Sequence, residues 1–257
     1  MDAGRLILLA LAAALAGAIN AVAGGGSLIS FPAALAAGLP PVVAKATNTV
    51  ALVPGSLAAT WAYRGELSGH ARLALGLTVP GLGGAVLGAA ILVGAPPRAF
   101  ELLIPALALG ATLLLAAKDA LWRSAKASAA PPSATRVVMV GAGLFAASVY
   151  GGYFGAGLGI LALSLLMMVK PLGIHELNAM KSLIVGGING AAAIYFFIRG
   201  VVDLPAALAM LVGSVLGGFA SATLARRASP RVIRRLVVAV GVVVSVALAA
   251  RYWGRAG

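Results

Sequence analysis

Apolar stretches long enough to span a bilayer recur from one end of the chain to the other. About 20 residues rising about 1.5 Å each cross a hydrocarbon core about 30 Å thick. Strand-like alternation is absent. The spans are therefore expected to be helices, because a backbone in lipid must satisfy its own hydrogen bonds. Of 257 residues, 61% are hydrophobic and 10% charged, outside the usual balance of soluble domains. The chain reads as an all-α integral membrane protein.

The first run, RLILLALAAALAGAINAVAG, has a basic flank at Arg5 like a secretory signal. Its apolar part is too long for one and leads into a glycine cluster, so it is expected to be a mature segment. There is no cysteine, which removes disulfides, thiolate metal sites and thiol relays. The net charge of +13 is concentrated between spans, in KDALWRSAKASAAPPSATR (118–136) and RRASPRVIRR (226–235). That is the pattern of cytoplasmic loops near anionic lipid rather than of a nucleic-acid binder.

The chain contains itself twice. WAYRGEL (61–67) followed by VPGLGGAVLGA (79–89) is answered by FFIRGVV (196–202) followed by VGSVLGGFASA (212–222). Pairing Arg64 and Gly65 with Arg199 and Gly200 also brings Gly55 onto Gly190 and Gly83 onto Gly218. Five apolar segments are expected per half: 5–23, 26–37, 42–63, 73–94 and 99–117, then 137–154, 157–169, 178–198, 204–224 and 235–252. The second of each half is too short to cross straight. An odd number of crossings per half puts both basic loops inside and the poorly charged GAPPRAF (94–100) outside. The expected fold is thus two inverted repeats of about five helical segments, 1–117 and 137–257, joined by a cytoplasmic linker, 118–136. Short broken or re-entrant helices lie at the glycine clusters.

Those clusters, AGGGSLISFP (23–32) and GGYFGAGLGI (151–160), sit where glycine costs a helix about 1 kcal/mol relative to alanine. A broken helix leaves backbone N–H groups without partners, and an anion can be the partner. Gly24, Gly25, Gly26 and Ser27, with Gly155, Gly157 and Gly159, are therefore candidate substrate contacts; close packing through small residues is the competing explanation. The GAGLG run follows no strand and is not a dinucleotide fingerprint. Polar residues occupy nearly matching places in AKATNT (44–49) and NAMKS (178–182). Lys45, Thr47 and Asn48, with Asn178, Lys181 and Ser182, and Asn20 and Asn189 besides, make a neutral-to-cationic lining suited to a small oxyanion. Snorkelling is the alternative for both lysines. All six acids fall at segment ends or in loops, which argues against cation transport. His70 and His175 do not suggest a metal site, and His175 beside Glu176 is a candidate for proton coupling.

On AINAVAGGGSLISFPAALAAGLPPVVAKATNTVALVPGSLAATWAYR (18–64), YGGYFGAGLGILAL (150–163) and NAMKSLIVGGINGAAAIYFFIRGVVD (178–203), the chain resembles the TauE/SafE family of sulfite and organosulfonate exporters. The resemblance implies a multi-pass permease of the bacterial inner membrane for small sulfur-containing anions such as sulfite, sulfoacetate or thiosulfate. No cofactor, metal or nucleic acid is implied; membrane lipid is the surrounding partner, and a homodimer stays open. A transporter or channel for another small organic anion is the alternative. A membrane-embedded enzyme would need a nucleophile with its base, or a metal cluster, and neither is found.

Overall fold

A computed structural model describes residues 1–22, 24–127, 133–169, 172–227 and 230–254. Among the described residues every element is a helix: α1 (Ala3–Val22), α2 (Ser27–Ala36), α3 (Pro41–Ala62), α4 (Arg64–Leu67), α5 (Ala71–Gly94), α6 (Pro97–Ala116), α7 (Lys118–Ala127), α8 (Ala134–Tyr153), α9 (Leu158–Val169), α10 (Ile174–Ile198), α11 (Leu204–Arg227) and α12 (Pro230–Tyr252). Each of the ten expected segments is one of these helices. The additions are the single turn α4 and the ten-residue α7, which begins the linker. Residues 128–132 of that linker and 228–229 of the second basic loop lie outside the described residues. Seven helices among the described residues are long and apolar enough to cross a membrane: α1, α3, α5, α6, α8, α10 and α12.

The short segments return rather than cross. After α1, Gly24 adopts φ +83° and its N–H reaches back to the Ile19 carbonyl at 3.2 Å; after α8, Gly155 adopts φ +84° and reaches the Tyr150 carbonyl at 3.1 Å. A helix end closed over five residues in this way requires the left-handed region, open to glycine at little steric cost. The chain then doubles back. Arg5 Nη1 donates to the Ala37 carbonyl at 3.4 Å, so α2 ends beside the start of α1. Arg136 Nη1 donates to the Met168 carbonyl at 3.2 Å, closing the α8–α9 hairpin identically. One offset in sequence relates Arg5 to Arg136, Gly24 to Gly155 and Ala37 to Met168.

Contacts sort the helix ends into two groups. At the end where α1 starts, the Asp203 N–H donates to Thr47 Oγ1 at 2.9 Å and Trp253 Nε1 donates to the Leu102 carbonyl at 3.0 Å. At the end where α8 starts, His70 Nε2 meets Glu176 Oε1 at 3.4 Å, and Asp119 forms an ion pair with Arg234. The Arg234 guanidinium holds the Asp119 carboxyl below its ordinary range. This pair joins α7 to α12, so the described parts of the two basic loops lie at one end of the bundle.

Packing is reciprocal between the halves. Helix α1 lies on α11 and α8 on α5, while α3 and α10 pack on each other and on α11 and α5 respectively. Missing side chains allow the close approach: a Cβ on Gly213 or Gly217 would stand 1.9 or 2.0 Å from the carbonyl oxygens of Ala10 and Ala14. In the other pair, a Cβ on Gly88 or Gly152 would stand 1.9 or 2.1 Å from those of Val149 and Ala85. Backbones in lipid associate through such contacts because no hydrophobic driving force separates helix from tail. Gly217→Val should therefore destabilise the protein by about 1–3 kcal/mol or prevent its folding. Gly110→Ala in α6, where a Cβ meets nothing within 4 Å, should leave it unchanged or up to about 1 kcal/mol more stable. Thermal unfolding in detergent distinguishes the two.

Candidate functional site

The two breaks touch. A Cβ on Gly24 would lie 2.9 Å from the Gly159 carbonyl carbon, and one on Gly159 would lie 3.0 Å from Gly24 Cα. The N-terminal ends of α2 and α9, one from each half, therefore start from the same place. Each carries backbone N–H groups that its own helix cannot satisfy, and each is the positive end of its helix dipole. At the first break, Asn20 Oδ1 accepts the Gly26 N–H at 2.8 Å.

A cavity of about 500 Å³, mouth included, opens on this junction. Of the residues singled out in the sequence, Asn20, Gly24, Ser27, Gly155, Gly159, Lys181, Ser182 and Asn189 line it. The other lining residues are Gly17, Leu52, Gly55, Ser56, Ala59, Leu158 and Val185, so among the described residues no carboxylate is on its wall. The duplication pointed to Gly55, which aligns with Gly190; nothing marked Ser56, whose hydroxyl donates to the Leu52 carbonyl at 3.2 Å. With Ser56 and Ala59 late in α3 and Lys181 and Ser182 early in α10, the cavity lies toward the end of the bundle that carries the basic loops.

Neither lysine snorkels. Lys181 is 2% exposed and Lys45 3%. Lys181 Nζ donates to the Asn20 carbonyl at 2.8 Å and to Asn178 Oδ1 at 3.1 Å. It thus ties α10 to the end of α1 and brings its charge to the first break. Lys45 does the converse. Its Nζ would stand 3.4 Å from a Cβ on Gly155, at the second break. It donates to Thr49 Oγ1 at 2.5 Å and lies 5.6 Å from the centre of the Phe196 ring. Each half supplies a cation to the other half's break, but only Lys181 reaches the cavity.

The remaining candidates lie behind this wall. The Thr47 hydroxyl accepts the Asp203 N–H that opens α11, and Asn178 anchors Lys181. Asn48 is 3% exposed, and its Oδ1 has no hydrogen-bond partner. Gly26 is a packing glycine, since a Cβ there would stand 2.1 Å from the Ala16 carbonyl oxygen. Gly25 faces Leu115 and Val237 and does not have a positive φ; Gly157 has φ +84° and faces Ala111 and Leu114 of α6. Both hold the turns from outside the cavity. At the basic end, Glu176 meets His70 rather than its neighbour His175, which stacks on Tyr63 with ring centres 6.4 Å apart.

Residues 9–248 match the family model described as "Sulfite exporter TauE/SafE". The chain is 30% identical over 251 residues to "Probable membrane transporter protein ORF9" of Sinorhizobium sp, covering 96% of this chain and 91% of that protein. A shorter match, 50% identical over 48 residues, is to "Probable membrane transporter protein YfcA" of Escherichia coli (strain K12), and covers 19% of this chain and 18% of that one. No solved structure matches. Apolar helices, a re-entrant hairpin in each half and a match over nearly the whole length agree: the chain belongs to the TauE/SafE sulfite exporter family and is a multi-pass membrane transporter.

Proposed function

We propose that the protein carries small sulfur-containing anions such as sulfite, sulfoacetate or thiosulfate across the inner membrane, and that they bind in the cavity where the two helix breaks meet. The observation that carries this reading is the wall of that cavity: one buried lysine, the amides and hydroxyls of five side chains, the starts of two short helices and, among the described residues, no carboxylate. A sulfite or sulfonate group offers three oxygens, each an acceptor. Lys181 supplies the charge; Asn20, Asn189, Ser27, Ser56 and Ser182 supply neutral polar groups, and neutral donors let an anion go again. Both breaks then belong to one site, as the duplication suggested.

Alternating access in this reading comes from two inverted repeats, 1–117 and 137–257. It is supported by the matched hairpins, which start at opposite ends of the bundle, and by the exchange of partners in which α1 packs on α11 and α8 on α5. The charged end, with Asp119 and Arg234, is then cytoplasmic.

Two measurements test this. In proteoliposomes, the purified protein should move ³⁵S-sulfite, and Lys181→Gln should weaken its binding and flux by about 5- to 150-fold, the equivalent of about 1–3 kcal/mol for a charge-assisted contact. Asn20→Asp, which keeps an acceptor for the Gly26 N–H but sets a negative charge beside Lys181, should lose flux similarly while remaining folded. Sulfite handled equally by all three proteins would remove the site. For topology, the natural absence of cysteine allows single thiols at Ser124 and Arg235, both exposed. Ser124→Cys and Arg235→Cys should both react with an impermeant maleimide from the cytoplasmic side alone; labelling from opposite sides would exclude the inverted arrangement.

A further inference from the structure

Lys45 is a buried cation for which the cavity has no use. Among the described residues no carboxylate pairs with it; its ammonium group has the Thr49 hydroxyl and the face of Phe196. A charge within a span, without an acid partner, is costly unless a mobile anion or water reaches it in some state of the protein. One turn on, and on the same face of α3, is the buried Asn48, whose amide oxygen, an acceptor, has no hydrogen-bond partner and whose NH2 is the group able to donate to an anion. Lys45 and Asn48 thus repeat the lysine-and-amide spacing of Lys181 and Asn178, three residues apart in α10.

The two sets differ in where they stand. Lys45 lies about one turn into α3, from the end of the bundle where α1 starts; Lys181 lies about two turns into α10, from the basic end. Between Lys45 and the cavity is Gly155. It lines the cavity on one side, and a Cβ on it would come within 3.4 Å of Lys45 Nζ. Lys45 thus stands next to a residue of the cavity wall that has no side chain and is held at φ +84°.

We propose that Lys45, with the Asn48 NH2 group, is a second anion-binding position, shut in this structure, which takes the anion from the Lys181 cavity when that cavity closes and releases it at the opposite end of the bundle. The two lysines act in turn, one for each access state, and Gly155 is the point of transfer. The proposal rests on reading the Lys181 cavity as the anion site. It adds that a residue outside that cavity is required for movement of the anion but not for its first binding.

The test separates binding from flux, with ³⁵S-sulfite as the probe. Lys45→Gln should bind sulfite in detergent within about threefold of the unaltered protein, yet carry it at least about tenfold more slowly in proteoliposomes. Lys181→Gln should lose both. Loss of binding together with flux in a folded Lys45→Gln protein, or retention of both, overturns the proposal. Retention of sulfite binding by Lys181→Gln would instead overturn the cavity reading itself. Asn48→Cys gives a readout that does not depend on the Lys45 variant folding. During sulfite transport its thiol should react with an impermeant reagent from the membrane side opposite to that which modifies Ser182→Cys. Reaction from the same side, or none from either, shows that no second position opens.

Discussion

A helix broken inside hydrocarbon must find partners for its freed N–H groups, and here the two breaks bring theirs to one point. Gly24 and Gly159 meet backbone to backbone. No residue with a Cβ permits that contact at this spacing, and the left-handed turns at Gly24 and Gly155 that bring the chain there exclude side chains independently. Much else follows from the junction. Because α2 and α9 start at it, each must return to the end from which its partner came, and Arg5 and Arg136 close those returns on the last carbonyls. Because both hairpins are re-entrant, the crossing helices α3 and α10 enclose them, and their lysines become neighbours of the breaks.

The exchange between halves gives the junction its setting. Were each half packed on itself, the two breaks could sit anywhere relative to one another. Instead α1 is held by α11 and α8 by α5 through glycines that bring carbonyl oxygens to within side-chain distance of the facing backbone. The same exchange decides which lysine meets which break. Lys181, from the second half, bonds to the Asn20 carbonyl of the first; Lys45, from the first half, lies against Gly155 of the second. Neither half alone contains both a break and the cation that faces it.

Much of this was legible in the sequence, because its causes are local or periodic. All ten segments follow from apolar length, and the glycine clusters mark the breaks because glycine is unfavourable in a helix unless something requires it. The short second segments could not be assigned as crossing or returning, since that depends on Arg5 and Arg136 bonding to carbonyls 32 residues away. Among the polar residues, composition identified the cluster but not its division. Thr47 and Asn48 share a helix with Lys45, yet the first accepts a bond from the start of α11 and the second is left without a partner. Ser56 has the bland signature of any serine in an apolar helix, and only the packing of α3 on α10 and α11 puts it on the cavity wall. Gly25 looked equivalent to Gly24, but one residue of rotation at the turn directs it to Leu115.

What the site lacks bears on what it can do. A transporter must bind an anion strongly enough to displace its water and weakly enough to let it leave. Several cations around one small anion would meet the first condition and fail the second; a wall with an aspartate or glutamate would fail the first. Among the described residues this wall has one ammonium group, already held by the Asn20 carbonyl and Asn178, so in the proposed reading an anion gains its long-range attraction without depending on a full ion pair. The remaining contacts come from amides, hydroxyls and the starts of two short helices, which are positive only through partial charges fixed by the fold. Such a field needs no counter-ion when the anion has gone. In the proposed reading, glycines rather than additional lysines serve the centre because they let backbone come close enough to supply attraction that the empty site can bear.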